Sequence, residues 1–304
     1  MIEQQQGEVR FMQFDHYLQF PEITHASFTR LGGYSKTPYW GLNVSFSSGD
    51  DFENVLRNRL LALQTLQLET YPCATLWLVH GADVAILGDD DTWEWRYDQP
   101  QRVNYTQLQQ SGTAKPRWKA DAIITKQRGV ALALASADCV PLLFYDPIEG
   151  AIGMAHAGWR GTARGIAAAT IDAMREQFGS RPHNIYVGIG PSIGPCCYEV
   201  TGAVQELFMG HQQFETMPTD IKYRNLVRES AVFSVWELPE RNSLRLDLWE
   251  TNRKQLLMAG VLAEHIELPD VCTSCEKELF FSHRGEHGKA GRFPSILALR
   301  NDRR

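Results

Sequence analysis

One cysteine and one histidine of this sequence stand at the ends of two neighbouring apolar runs. Cys139 precedes the run VPLLFYD, and His156 lies at the end of the run AIGMAHA. A thiolate and an imidazole can share one zinc ion, at distances of about 2.3 Å for sulfur and 2.0 Å for nitrogen. A cysteine and a histidine are also the nucleophile and base of metal-free hydrolases. The two residues therefore fit either metal-dependent or covalent chemistry.

The segment between the cysteine and the histidine predicts a β-hairpin. Pro147 suits the second position of a turn, and Gly150 suits a left-handed position. The hairpin closes with either Glu149 or Ala151 opposite Asp146. The first register places the cysteine directly opposite the histidine, where Cβ atoms lie about 4.5–5.5 Å apart. The second register makes them diagonal neighbours, and both registers keep them on one face of the sheet.

His80 is the candidate third metal ligand, because it ends the strand-like run LWLV and a glycine follows it. The set of His80, Cys139 and His156 leaves a fourth position open, as catalytic zinc sites do. Asp138 points to the opposite face of a regular strand, so we expect it to orient a ligand rather than to bind the metal. Spacing alone leaves three alternatives: a metal site, a Cys–His hydrolase, or buried residues with structural roles.

The chain has six cysteines, and their number does not imply disulfides in a long cytoplasmic protein. Cys272 and Cys275 form a C-x-x-C, which is either half of a zinc site or a redox pair. No second C-x-x-C or C-x-x-H follows it, so we predict that this pair is structural and lies outside the active site. Cys196 and Cys197 are sequence neighbours, and we interpret them as structural too.

The composition of the chain limits the classes of protein to which it can belong. The chain has 304 residues and a formal net charge of −6, and it lacks a long basic run, so a nucleic-acid partner is not expected. No apolar stretch approaches the roughly 20 residues of a membrane span. The polar N-terminal segment has no apolar core of a signal peptide. We therefore expect a cytoplasmic protein without a membrane partner.

The elements that must position these residues mix strands and helices without strict alternation. This pattern favours an α+β fold with mixed or antiparallel sheets over a doubly wound fold. Residues 89–118 predict a polar insertion. Helices are predicted in GDDFENVLRNRLLALQTLQL, capped by Asp50 or Asp51, in TARGIAAATIDAMREQFG, capped by Thr162 and ended by Gly179, and in LDLWETNRKQLLMAG. Strands are predicted around ITHASF, ATLWLV, ADAIIT, VALALAS, HNIYVGIG, ELFFSHRG and PSILAL.

Seven segments, from about His25 to Leu299, resemble the laccase-domain purine nucleoside phosphorylase family. These YfiH-like proteins were formerly labelled multicopper polyphenol oxidoreductases. The segments occur in the order HASFTRLGGYSKTPYWGLNVSF, LVHGADV, ADAIIT, ADCVPLLFYD, AHAGWRG, GIGPSIGPCCYEV and CTSCEKELFFSHRG…GR. The resemblance implies a metal triad of His80, Cys139 and His156. The predicted hairpin brings Cys139 and His156 together independently of the resemblance.

The resemblance also implies a fold and an activity. The fold is one α+β domain, residues 1–304, of layered mixed sheets flanked by helices, with a Cys–His pocket. The activity is phosphorolysis of adenosine, inosine and methylthioadenosine, with adenosine deamination on the side. The partners are then a purine nucleoside and phosphate. The sequence departs from the family pattern in the insertion at 89–118 and at His283, where an aromatic residue is usual.

The older multicopper label can be tested against the histidines. Multicopper oxidases use many histidines, often in His-x-His pairs, whereas this chain has nine histidines and no His-x-His. A site with one cysteine and two histidines suits zinc, or adventitious copper, better than a trinuclear copper cluster. We therefore expect Zn²⁺, with copper as the alternative.

Phosphorolysis needs an anion site, for which two arginines are candidates. Arg160 lies in GWRGTARG, where glycines free the backbone, the guanidinium is a forked donor and a helix begins nearby. Arg30 precedes the pair Gly32–Gly33. Either arginine fits a surface salt bridge equally well.

Two rival functions remain besides the nucleoside enzyme. One is a cysteine hydrolase or amidase acting on cell-wall precursors, as in peptidoglycan editing, in which Cys139 attacks and His156 is the base. The other is a non-catalytic zinc- or copper-binding protein, or a metal-binding polyphenol oxidase-like protein. Metal content separates the hydrolase from the others, and turnover of inosine with phosphate identifies the nucleoside enzyme.

Overall fold

The computed structural model describes residues 1–88, 118–211 and 221–301. Apolar runs with short turns between them form strands throughout these ranges. The strands are β1 (Ile2–Gln6), β2 (Val9–Gln13), β3 (Ile23–Phe28), β4 (Cys73–Ala74), β5 (Val84–Leu87), β6 (Ala122–Thr125), β7 (Val130–Ser136), β8 (Val140–Asp146), β9 (Ala151–Ala157), β10 (Tyr186–Ile189), β11 (Phe233–Glu237), β12 (Asn242–Leu246), β13 (Ile266–Glu267) and β14 (Phe293–Leu299).

The strands form two six-stranded mixed sheets and a separate hairpin. The first sheet has the order β1-β2-β3-β14-β7-β4, and the second has the order β13-β10-β8-β9-β6-β5, while β11 pairs with β12. Three neighbouring pairs are parallel, namely β4–β7, β5–β6 and β10–β13. Mixed pairing of this kind confirms the predicted α+β class.

Helices lie on the outer faces of the two sheets. They are α1 (Phe52–Thr65), α2 (Trp159–Thr162), α3 (Ile166–Phe178), α4 (Gly202–Phe208), α5 (Arg224–Ser230) and α6 (Leu248–Met258). Asp51 caps α1 by accepting the backbone N–H of Asn54, and Gly179 ends α3 in a left-handed conformation, as predicted. None of the helices in the described ranges combines the length and the apolarity that crossing a membrane requires.

Three apolar clusters show that the layers stack in the order helix, sheet, sheet, helix. Between the sheets, Leu132 and Leu297 of the first sheet pack with Leu143 and Met154 of the second. A second cluster joins the second sheet to α3 and α6, and a third joins the first sheet to α1. Burial of each sheet on both faces accounts for the continuous apolar runs of β8 and β9, which are buried at every position.

Three local predictions are wrong. ATLWLV does not form one strand, because β4 ends at Ala74 and Leu76 makes only an isolated bridge with Trp118. Thr162 does not cap the long helix α3, because the chain first makes the short helix α2 and then enters α3 through Gly165 in a left-handed conformation. ELFFSHRG does not form a strand. Phe280 and Phe281 are buried side by side, and the N–H of Phe280 donates to the carbonyl of Glu276 at 2.8 Å, so this segment turns back on itself. The predicted insertion lies, apart from residue 118, outside the described residues.

Candidate metal centre

The β8–β9 hairpin brings Cys139 and His156 to one face of the second sheet. Asp146 pairs with Ala151, which confirms the second of the two predicted registers. Cys139, one position before β8, is therefore a diagonal neighbour of the histidine. The turn has the expected form, since the carboxylate of Asp146 accepts two backbone N–H groups of the turn and Gly150 has a φ of 61°.

Asp138 has a left-handed backbone, with a φ of 83°, directly before the cysteine. Its carboxylate accepts the hydroxyl of Thr273 at 2.7 Å and the backbone N–H of Arg284 at 2.6 Å. These bonds tie the segment 272–288 to the start of β8. Asp138 thus fixes the backbone beside the cysteine, whereas the bonds of its carboxylate go to residues outside the ligand set.

His80 lies between β4 and β5, also with a left-handed backbone, at a φ of 59°. The buried carboxylate of Asp121 holds this turn by accepting the backbone N–H groups of Val79, His80 and Gly81 at 3.1, 3.0 and 2.6 Å. The guanidinium of Arg164 donates to the carbonyl of His80 at 2.5 Å. Backbone bonds on both sides therefore fix the position of this histidine.

Asp121 also orients the second histidine. Its Oδ1 lies 3.1 Å from Nδ1 of His156, and because a carboxylate only accepts, Nδ1 carries the proton and Nε2 is left for a metal. Burial by itself raises the pKa of Asp121, but the bonds from His156 and from backbone N–H groups outweigh it and lower that pKa. Sequence analysis missed Asp121, although ADAIIT was among the segments of the family resemblance.

The ligand atoms of His80, Cys139 and His156 all lie within 4.8 Å of one another. Burial by itself raises the pKa of Cys139, but the charge of His156 and hydrogen bonds from both histidines lower it to about 6. The thiol is therefore a thiolate near neutral pH, which is the form that binds metals. One soft sulfur and two imidazole nitrogens fit a zinc ion with an open fourth position.

Gly158 leaves room for the sulfur atom of Cys139, because it has no side chain. A Cβ at this position would lie 2.9 Å from Sγ of Cys139 and 3.6 Å from Cδ2 of His80. The first distance is shorter than carbon–sulfur contact allows, so a side chain here would displace the thiolate. The glycine of AHAGWRG is thus required by the close approach of the ligands.

The three ligands line a cavity of about 790 Å³. A volume of this size is ample for a small organic molecule. Four aromatic side chains line the cavity, those of Phe46, Trp77, Trp159 and Tyr198. It also offers four cationic side chains, from Arg59, Arg160, Arg284 and Arg292.

The two predicted anion-binding arginines have different places. Arg160 is exposed, lies in α2 and lines the cavity, with its guanidinium carbon 4.3 Å from the ring centre of Trp159. Arg30 is buried and is not among the residues that line this cavity. Its guanidinium donates to Glu286 at 2.9 Å and to the carbonyl of Lys277 at 2.9 Å, so it holds the 272–288 segment in place.

Arg292 is a cavity residue that sequence analysis did not single out. Its guanidinium donates at 2.8 Å to the carbonyls of Ala290 and Gly291, which fixes its direction. Burial lowers its pKa, while the negative charges of Cys139 and Asp138 oppose that effect. The Arg292 guanidinium therefore adds a positive charge to the cavity that holds the thiolate. In the sequence, Arg292 could have been found as the arginine of the GR that ends the last segment resembling the family.

Four other cysteines also meet, against the expectation that Cys272 and Cys275 lack a partner pair. Sγ of these two residues lies within 4.8 Å of Sγ of Cys196 and Cys197. The prediction of no partner pair is therefore wrong, because the partners are adjacent cysteines rather than a second C-x-x-C.

The sequence profile of a protein family described as multi-copper polyphenol oxidoreductase laccase matches residues 24–300. The chain belongs to this family. Its structure is similar to the crystal structure of YlmD from Geobacillus stearothermophilus, with a TM-score of 0.77 and 35% identity over 99% of both chains.

Relatives with a named activity cover most of the chain. The purine nucleoside phosphorylase YlmD of Geobacillus stearothermophilus is 38% identical over 276 residues, or 90% of this chain and 89% of the relative. The purine nucleoside phosphorylase YfiH of Escherichia coli is 31% identical over 286 residues, or 92% and 97% of the two chains. A purine nucleoside phosphorylase of Bacteroides thetaiotaomicron is 31% identical over 290 residues, or 95% and 96%. These family members support an enzyme of that class.

Proposed function

We propose that this chain is a zinc-dependent purine nucleoside phosphorylase acting on adenosine, inosine and methylthioadenosine, with adenosine deamination as a side activity. The observation that carries the proposal is the convergence of His80, Cys139 and His156 at a cavity lined by Arg160. The purine nucleoside phosphorylases among its relatives support the class of reaction. We also propose that residues 1–304 form one catalytic domain and that the enzyme works in the cytoplasm, where its thiols stay reduced.

Phosphorolysis joins a phosphate oxygen to C1′ of the ribose as the bond from C1′ to the purine nitrogen breaks. The electron pair of the broken bond leaves with the purine, which takes up a proton. The protein must therefore hold an anion beside the sugar and a flat base at a fixed distance from it. The arginines and the aromatic side chains of the cavity supply these two kinds of contact.

Arg160 and Arg292 are our candidates for the phosphate. Arg160 presents a forked guanidinium from α2 and is exposed, so it can reach an incoming anion. Arg292 is held by bonds to two backbone carbonyls, so its guanidinium is oriented before an anion arrives. One exposed and one partly buried cation suit capture of phosphate followed by its orientation.

The ligand set determines what the centre contributes. A zinc ion held there would supply Lewis-acid chemistry, polarising an oxygen atom of a substrate. Asp121 keeps Nε2 of His156 available and fixes the backbone of His80. In the side reaction, water replaces the 6-amino group of adenosine and ammonia leaves, and the same centre would serve that reaction.

The experiment is base release from inosine by the zinc-loaded protein, with and without phosphate. We expect hypoxanthine and ribose 1-phosphate when phosphate is present, and little hypoxanthine when it is absent. Equal rates in both would show a hydrolase and refute the phosphorylase. Ammonia release from adenosine under the same conditions tests the side activity separately.

A thiol hydrolase is the second candidate, favoured by one observation. Asp121 orients His156, and His156 faces the thiolate of Cys139, so the three residues have the order of a cysteine hydrolase triad. A hydrolase or amidase of this type keeps its activity in a chelator and loses it to a thiol-alkylating reagent. The metal-dependent function, by contrast, predicts that removal of zinc with a chelator abolishes turnover.

A further inference from the structure

The strongest unassigned feature of the molecule is the set of Cys196, Cys197, Cys272 and Cys275. All four cysteines are free thiols. Their sulfur atoms lie within 4.8 Å of one another, and Sγ of Cys275 lies 3.6 Å from Sγ of Cys196 and 3.5 Å from Sγ of Cys197. In a tetrahedral zinc site with bonds of 2.3 Å, two sulfur atoms are about 3.8 Å apart. The observed spacing is close to that value.

The backbone around the cysteines has two features of thiolate sites for metals. The N–H of Gly194 donates to Sγ of Cys272 at 3.1 Å, which favours the charged form of the sulfur. The N–H groups of Cys275 and Glu276 both donate to the carbonyl of Cys272, at 3.1 and 3.0 Å. This tight turn directs the two sulfur atoms of the C-x-x-C to one point.

We propose that Cys196, Cys197, Cys272 and Cys275 bind one thiophilic divalent cation, zinc in the first instance, in a closed structural site. Four thiolates complete the tetrahedral coordination of zinc and leave no position for a substrate. The set therefore differs in kind from the three-ligand centre in the cavity, and the proposal does not depend on the reaction of that centre.

The cation would join two loops that are far apart in sequence and that both reach the cavity. The cysteines of the first loop directly precede Tyr198, and the second loop continues to Arg284, and both of these residues line the cavity. Asp138 already holds both loops, because its carbonyl accepts the N–H of Ile193 at 3.0 Å and its carboxylate accepts the N–H of Arg284. A metal at the cysteines would fix the same two loops at a second point.

Metal analysis of the purified full-length chain, prepared under reducing conditions without chelator, tests the proposal. We expect two equivalents of zinc in the wild type, one in Cys272→Ser/Cys275→Ser and one in Cys139→Ala. The matched control is Cys73→Ala, which removes the cysteine outside both groups and should keep both equivalents. Equal zinc in the wild type and in Cys272→Ser/Cys275→Ser would overturn the site.

A second measurement covers the case in which the double serine variant does not fold. Cobalt loaded into Cys139→Ala should give the intense thiolate-to-cobalt charge-transfer absorption of a tetrahedral four-thiolate site. Absence of that absorption would refute the proposal. Mass spectrometry of the native protein after alkylation of free thiols adds a further outcome, since a disulfide among the four cysteines in place of a metal would also refute it.

Discussion

The two groups of cysteine and histidine ligands in this molecule are built in opposite ways. The three residues His80, Cys139 and His156 line a cavity, and a buried carboxylate, Asp121, positions the two histidines. The four-cysteine group lies where two loops cross, and Cys196 and Cys275 are exposed. Three ligands leave a position for a reacting molecule, whereas four sulfur ligands close the coordination of the metal. From ligand number and surroundings we therefore propose chemistry for the first group and loop fixation for the second.

The sharpest test of this contrast removes sulfur ligands from one group at a time. Cys139→Ala should lower kcat/KM for inosine phosphorolysis about a thousandfold or more, because several kcal/mol of Lewis-acid stabilisation are lost with the metal. Cys272→Ser/Cys275→Ser should keep most of the activity at temperatures where the variant stays folded. Steady-state kinetics of the two variants, with circular dichroism as the control for folding, provide the check. Similar losses in both would contradict the division of roles.

The wall of the cavity provides the second test. Arg160→Ala should raise the KM for phosphate about 10- to 150-fold, because a charge-assisted hydrogen bond contributes on the order of 1.5–3 kcal/mol. Arg160→Lys keeps the charge but loses the fork of the guanidinium and should recover part of the loss. Arg181→Ala, at an exposed arginine outside the cavity, is the matched control. An unchanged KM in Arg160→Ala would exclude Arg160 and leave Arg292 as the phosphate residue.

Orientation of the histidines gives the third and smallest effect. Asp121→Asn should weaken zinc binding at the three-ligand centre about 10- to 100-fold, the usual effect of losing a carboxylate behind a histidine ligand. The amide keeps the shape of the side chain but only one acceptor oxygen for the four donors that Asp121 accepts, so circular dichroism is needed to confirm that the variant is folded. Competition with a chromogenic chelator measures the affinity, and Asp83→Asn, at an exposed neighbouring carboxylate, is the control. Unchanged affinity would mean that Asp121 only holds the His80 turn.

The sequence predicted that Cys139 and His156 lie close together, because the geometry that joins them is local. Pro147 and Gly150 specify the turn, and strand periodicity then places Cys139 and His156 on one face. Asp121 escaped prediction because its role depends on the pairing of β6 with β9, which no local pattern specifies.

Some of the features that sequence analysis missed depend on contacts between distant segments, whereas others are local. The four-cysteine group joins Cys197 to Cys275 across 78 positions of the chain. The false strand ELFFSHRG has the composition of a strand, but two adjacent buried phenylalanines break the alternation that a half-buried strand requires. The α+β class was predictable because it depends on the order of many elements rather than on any one contact.

The measurement that tests the central claim most directly is anomalous scattering from crystals of the purified protein at the zinc absorption edge. We predict a strong peak between Sγ of Cys139 and the ring nitrogens of His80 and His156, at about 2.0–2.3 Å from each ligand atom. Protein from the same preparation must turn over inosine with phosphate. An active preparation whose crystals show no peak at this position would contradict the account.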